Sequence, residues 1–269
     1  MPCTQQRSVP FGTAEVVRRL GDRFAEAAEH CRDLPQLAAL LGDAALELGF
    51  HHFALLDHAS LARACTDLVR IDNYPESWLC EAIDSGLVAD DPVHLASRRS
   101  NCGFCWSELG ALIKLDRRHK NILARSRYHG LGGGFTVPAN VPGEPSASCS
   151  FAVRAGREIP ADRLRCAELV GLHALRTARR LRAFPPQTPR PHLSRRELEC
   201  LRLVAMGKTD SEIATILGLS AETVRHYVKS ARAAYDVVSR TQLAVYGLRD
   251  GWISFEDAIP FDRSMRASD

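Results

Sequence analysis

The architecture turns on three stretches, Leu193–Leu201 (LSRRELECL), Gly207–Val228 (GKTDSEIATILGLSAETVRHYV) and Ser239–Leu248 (SRTQLAVYGL). Their helix starts are written in caps. A Ser or Thr hydroxyl placed just before a helix accepts a hydrogen bond from a first-turn N–H that has no partner inside the helix. Ser194-Arg195-Arg196-Glu197, Thr209-Asp210-Ser211-Glu212 and Ser239-Arg240-Thr241-Gln242 also carry Glu or Gln at the third helical position. That side chain can reach back to the N–H of the cap residue. Ser220 caps one more segment, and Gly207, Gly218 and Gly251 supply left-handed stops.

Apolar residues recur at helical spacing between these signals: Leu198, Leu201 and Ala205, then Ile213, Ala214 and Leu217, then Val224 and Val228. A short helix, a tight glycine turn and a basic helix make a helix-turn-helix, here the centre of an all-α four-helix unit over 193–255. A helix in the major groove reads base edges while flanking cations hold phosphates. Thr223, Arg225, His226, Lys229 and Arg232 are the candidate DNA contacts, and for any one of them the alternative is a solvated surface side chain. Double-stranded DNA is therefore the expected partner.

Upstream, Phe184–Pro191 places four prolines in eight residues, which forbids a continuing helix and predicts a linker over 184–192. Before it, Asp33–Leu48 reads as a helix, Phe53–Leu56 and Leu68–Ile71 as short strands, and a helix starts near Glu76. Leu115–Tyr128 reads as a helix, Gly134–Pro138 and Ala147–Val153 as strands, and Ala161–Ala183 as a long helix. Helices at both ends of a run of strands predict an α+β domain over 33–183 with an antiparallel sheet between helical layers. Residues 1–32 have a helical, Ala-rich pattern but no chemistry, and are read as an extension; 256–269 is read as a tail.

The 269 residues are 45% apolar and 25% charged with a net charge of +3, an ordinary composition that permits two domains and says little about partners. The start lacks the apolar core of a signal peptide and no apolar run is long enough to span a bilayer, so a cytoplasmic protein without membrane association is expected. Nine scattered cysteines read as reduced, mostly buried thiols. Cys102-Gly103-Phe104-Cys105 has the spacing of a metal or redox pair, but no second pair follows, and neither metal nor cofactor is expected.

Tyr74-Pro75-Glu76-Ser77-Trp78, Asp91-Pro92-Val93 and Phe104-Cys105-Trp106-Ser107-Glu108-Leu109 concentrate aromatic and acidic residues, including two of the three tryptophans. Large apolar faces with one N–H donor each suit a small-molecule pocket, and equally a core in which each indole N–H is paired.

The C-terminal stretch closely resembles the LuxR-type helix-turn-helix family, including the final Gly251-Trp252-Ile253. That resemblance makes Ser220–Tyr235 the recognition helix; Ala234-Tyr235 departs from the family's usual Lys-Leu, removing a phosphate contact. The segment from about Asp33 to Ala183 resembles the autoinducer-binding domain of quorum-sensing regulators of the same family. The resemblance implies an acyl-homoserine lactone ligand surrounded by Tyr74, Trp78, Asp91, Trp106 and Gly134. In that arrangement Asp91 accepts the ligand amide N–H, the Trp78 indole donates to the lactone carbonyl and Tyr74 bonds the acyl carbonyl. Ser150 supplies a further hydroxyl, with Thr136 beside it. Ala82 stands where the family has a tyrosine, and Val93 replaces a frequent hydroxyl residue. A wall of the pocket is thereby removed, which favours a bulkier or aromatic acyl group or a signal that is not a lactone.

Other classes fit less well. Gly130-Leu131-Gly132-Gly133-Gly134 lacks the spacing of a phosphate-binding loop, so the chain is not read as an enzyme. A phosphoacceptor receiver with Asp90-Asp91 would need parallel βα units, which the pattern does not show. The expectation is a ligand-gated transcriptional regulator that binds a palindromic operator as a homodimer, with half-sites about one helical turn apart. The Arg163–Ala183 and Thr241–Asp250 helices are the interface candidates.

Overall fold

The computed structural model describes residues 11–58, 69–141, 144, 146–182 and 190–259, with residues 11–18 as backbone only. It divides into two compact units, 1–184 and 185–269. The proline-rich stretch lies largely outside the described residues, so the expected linker is not among the elements that follow.

In the first unit, α1 (Phe11–His30) and α2 (Leu34–Glu47) precede β1 (His52–Asp57) and β2 (Arg70–Asp72). Then come α3 (Glu76–Asp84), α4 (Pro92–Ser97), β3 (Phe104–Cys105), α5 (Leu109–Leu112) and α6 (Arg117–Tyr128). β4 (Leu131–Ala139), β5 (Ala147–Arg154) and α7 (Leu164–Leu181) complete it. The long C-terminal helix of this unit starts at Leu164, behind a single 3-10 turn over Ala161–Arg163, rather than at Ala161.

The strands form one antiparallel sheet in the order β2-β1-β5-β4-β3. Because side chains alternate along a strand, the register decides what each face carries. Phe151 is paired with Phe53 on one side and Phe135 on the other, and with Leu55, Val137 and Cys149 these form one face, buried under α1, α2 and α7. Gly171 lets α7 lie close on the sheet, since a Cβ there would come within 2.8 Å of Val137 Cγ2. The opposite face carries Ala54, Ser150 and Thr136 side by side, with Leu56 and Ser148 one step further along. This face is covered by α3, α4 and α6, and is where apolar packing gives way to a pocket.

The segment read as an extension contributes to the core. Leu20, Phe24 and Ala28 of α1 are buried against the sheet-packed surface that includes α7. The sequence gives the helical period of α1, but its partner helix lies some 140 residues downstream, out of reach of local patterning.

The second unit holds α8 (Arg195–Ala205), α9 (Asp210–Leu217), α10 (Ala221–Ala234), α11 (Arg240–Arg249) and a short α12 (Phe255–Ala258). All the expected caps form. Ser194, Thr209 and Ser239 each accept from the third helical N–H while Glu197, Glu212 and Gln242 return a bond to the cap backbone. Ser220 accepts from Thr223 N–H, and Gly218 ends α9 at φ 65°. Leu201, Ile213, Val224 and Leu243 form the centre of the core at 1% exposure or less.

Candidate functional site

Two contiguous lobes open on the polar face of the sheet. They share Ala54 and Leu56 from β1, Tyr74 and Trp78 at the start of α3, Asp91 and His94 around α4, and Ile122 of α6. The larger lobe continues past Leu79, Ala82, Ile83, Leu87 and Val88 to a rim where Arg70 pairs with Asp72 at 2.8 Å. The smaller one reaches Val93, Trp106 and Ser150.

A line of hydroxyls runs across the floor of the pocket. Trp106 Nε1 donates to Thr136 Oγ1 at 2.9 Å, and Thr136 Oγ1 and Ser150 Oγ lie 2.8 Å apart across the β4–β5 pair. The Ser150 hydroxyl acts on the Tyr74 phenol at the end of this line. Burial, with the Asp91 and Asp72 carboxylates adding to it, pushes the Tyr74 phenol well above its usual range, so it stays a neutral donor. The row therefore reads Trp106, Thr136, Ser150, with Tyr74 at its end, and three of the expected ligand residues are already bonded to one another.

Asp91 is held by its own helix. As N-cap of α4 it accepts from Val93 N–H through Oδ1 at 2.8 Å, and Pro92 follows at the first helical position, where a missing N–H costs nothing. One carboxylate oxygen fixes the orientation and the second remains available to a ligand. Trp78 and Ala82 are buried four residues apart on one face of α3. α3 is tied to α6 from behind: Glu81 is bonded to Arg125 and His129, and His129 Nδ1 bonds Ser77 Oγ at 2.9 Å. Gly134 lies under Trp106. A Cβ at Gly134 would meet the Trp106 ring at 2.4 Å, so the glycine is a seat for the indole. Two residues that sequence reasoning missed are His94, in both lobes, and His58 behind it; their rings lie 4.7 Å apart.

With this geometry in view, residues 33–181 match the autoinducer binding domain family, and residues 191–247 match the bacterial regulatory proteins of the luxR family. The chain belongs to the LuxR-type transcriptional regulators. It is 32% identical to the regulatory protein SdiA of Escherichia coli K12 over 184 residues, covering 67% of this chain and 75% of SdiA. It is 29% identical to the transcriptional activator protein TraR of Agrobacterium vitis, covering 80% of this chain and 95% of TraR. The crystal structure of Escherichia coli SdiA superposes with a TM-score of 0.57 at 27% identity, over 89% of this chain and 98% of that one. SdiA in complex with octanoyl-rac-glycerol gives 0.56 at 25% identity, over 91% and 97%.

A LuxR-type regulator is a DNA-binding protein of transcription rather than an enzyme, and the features that suggested otherwise have structural places. The glycine run enters strand β4, not a helix, and the sheet is antiparallel where a receiver's would be parallel. Among the described residues no helix is long and apolar enough to cross a membrane.

On the recognition helix α10, Arg225, His226 and Lys229 are exposed. Arg225 is paired with Glu222. Thr223 and Arg232 are half-buried: the Thr223 hydroxyl lies 2.7 Å from Ser220 Oγ as part of the cap, and Arg232 Nε is buried without a partner among the described residues. Tyr235, which departs from the family pattern, packs in the core with its ring 5.5 Å from Tyr246, and Ala234 is exposed. Glu197 does more than cap. Burial opposes its charge, but bonds from Ser230 of α10 and Ser194 hold its carboxyl below the usual range, so it joins α8 to the recognition helix.

Proposed function

We propose that the pocket binds an acyl-homoserine lactone or a closely similar acylated signal, and that binding governs attachment of a homodimer to a palindromic operator. The observation that carries this is the row of Trp106, Thr136, Ser150 and Tyr74 beside Asp91 in a pocket otherwise lined by apolar side chains. An amphiphile with a polar head and an acyl tail fits such a division, because the few placed polar groups orient the head while apolar walls bury the tail. Asp91 accepts the amide N–H through the oxygen not used by the cap, Tyr74 and Ser150 bond the acyl carbonyl, and Trp78 donates to the lactone carbonyl. Trp106 and Gly134 shape the floor. The small Ala82 and Val93 leave the acyl side wide, which favours branched or aromatic acyl groups over short straight chains.

The DNA half of the proposal rests on Lys229, His226 and Arg225, exposed on α10, with Thr223 and Arg232 acting from its edge. Two-fold symmetry would place two such helices in successive major grooves. A non-lactone signal is the second reading; the SdiA complex with octanoyl-rac-glycerol favours it, since that acyl compound has no lactone.

The test is a thermal-shift titration against straight, branched and aromatic acyl-homoserine lactones together with octanoyl glycerol. A ligand at one hundred times its Kd adds roughly 2.7 kcal/mol to stability. A saturable shift with a lactone supports the first reading, a shift with the glycerol alone supports the second, and no shift from folded protein overturns both.

A further inference from the structure

Beyond the row that ends at Tyr74, a second set of polar groups stands on the same face of the sheet. Ser148 precedes Ser150 by two on β5, so the two hydroxyls share a face. His58 Nε2 lies 2.9 Å from Ser148 Oγ, and the His58 ring stacks on His94 with centroids 4.7 Å apart. His58 is 2% exposed and His94 9%. Burial, with His94 and Arg98 adding to it, pushes the His58 pKa down to about 3, so His58 is a neutral ring that supports its neighbour without repelling it.

His94 is the member of the pair that lines both lobes of the pocket, and its Nδ1, like that of His58, is buried with no hydrogen-bond partner among the described residues. Buried polar atoms in folded proteins are almost always paired, and one left alone on a side chain that lines a cavity calls for a partner, which a ligand atom can supply. An imidazole nitrogen can serve as donor or as acceptor according to its tautomer. The smaller lobe that His94 lines also carries the apolar Leu56, Val93, Ile122 and Leu123. His94 follows the cap residue Asp91 by three, which places it one helical turn further along from the position proposed for the ligand's amide.

We infer that His94 is a specificity-determining residue that hydrogen-bonds an oxygen carried by the acyl part of the signal, an oxo, hydroxyl or phenolic group, so that the protein selects oxygenated acyl chains over plain ones. This rests on the acyl-signal reading above. A site built around a polar partner discriminates strongly against a ligand that lacks it, because the buried nitrogen is then left unpaired in the complex.

The experiment is calorimetric titration of the full chain with octanoyl, 3-oxo-octanoyl, 3-hydroxyoctanoyl and 4-hydroxycinnamoyl homoserine lactones, and with octanoyl and 3-hydroxyoctanoyl glycerol. The wild type, His94→Leu and His94→Asn are compared. The wild type is expected to bind at least one oxygenated member roughly tenfold more tightly than the plain member with the same head group. His94→Leu should bind the plain ligand as well as the wild type or better and lose the preference; His94→Asn, with an amide that can reach a similar place, should recover part of it. Equal affinity of the wild type for plain and oxygenated members overturns the role of His94 while leaving the acyl-signal reading intact. A preference that survives in His94→Leu does the same. Failure of all six compounds to bind folded wild type overturns the acyl-signal reading and this inference with it. Binding of the glycerols but not the lactones removes only the lactone head group, and the oxygen preference is then read within the glycerol pair.

Discussion

The Trp106 indole lies against the backbone of Gly134 so closely that a Cβ on that glycine would stand 2.4 Å from Cε2 of the ring. Gly134→Ala must therefore push the indole off the strand and break the 2.9 Å bond from Nε1 to Thr136. Overpacking of this kind costs about 1–3 kcal/mol. Chemical denaturation should report that loss, and the altered environment of Trp106 should change the fluorescence of the folded protein. An alanine variant with wild-type stability, spectrum and ligand response would remove Gly134 from the site.

Asp91 caps α4 and, in the proposed function, also holds the ligand amide, and two substitutions separate these roles. Asn is as good an N-cap as Asp, so Asp91→Asn should keep α4 and lose only the charge, weakening signal binding by at least about tenfold. Asp91→Ala should also lose about 1 kcal/mol of stability, read in the apo protein by denaturation. Equal ligand affinity in Asp91→Asn and wild type would show that the carboxylate does not pair with the signal.

The Glu81 network predicts a pH effect. The bond to His129, and then those to Arg125, hold the Glu81 carboxyl below its ordinary value of 4.5 against the opposing effect of burial. A depressed folded pKa means that the folded state binds this proton less readily than the unfolded chain. The associated stability is present above pH 4.5 and is lost as pH falls through the lower folded value. The wild-type Tm should accordingly drop more steeply on acidification than that of Glu81→Gln. Parallel Tm curves for the two proteins through that range would be the contrary result.

Phe24 is 2% exposed in the core of the first unit. Removing a buried aromatic ring costs about 3–5 kcal/mol, so Phe24→Ala should destabilise that unit while a separately resolved transition of the DNA-binding unit stays in place. Calorimetry of the full chain distinguishes the two. A change under 1 kcal/mol by that measure would mean that α1 is dispensable to the core.

Lys229 is exposed on α10 and free of the ion pair that engages its neighbour Arg225 with Glu222. If it neutralises a phosphate, Lys229→Ala should weaken operator and random DNA alike, and reduce the slope of log K against log salt by about 1. Fluorescence anisotropy at several salt concentrations measures both, and an unchanged slope assigns Lys229 to solvent.

The DNA-binding unit was largely legible in the chain because its signals are local: a cap, its N3 partner and a terminating glycine lie within one helix of each other, and α8 to α11 begin where those signals fall. Most of the sensor's longer strands and helices were also legible, within a few residues, from alternation and helical period, whereas α4, β3 and α5 were not. Tyr74, Trp78, Asp91, Trp106 and Ser150 could be named from short motifs. What each does was not written there. Gly134 reads in sequence as one glycine among four, and only the approach of an indole from 28 residues upstream makes it a seat. Thr136 and Ser150 become one hydrogen-bonded row through the β4–β5 register, and Thr223 and Arg232, which look like free contacts on a helical wheel, are drawn to the edge of α10 by a cap and by burial. His58 and His94 carry no motif at all; two rings 36 residues apart meet because β1 and α4 converge on one face of the sheet. The sequence alone determined the two domain types, the family and most of the polar residues that line the pocket, since these follow from patterns a few residues long. Tertiary structure decided the place of α1 in the core, the second oxygen left to Asp91 and the unpartnered nitrogen of His94, because pairing and burial depend on residues that only folding brings together.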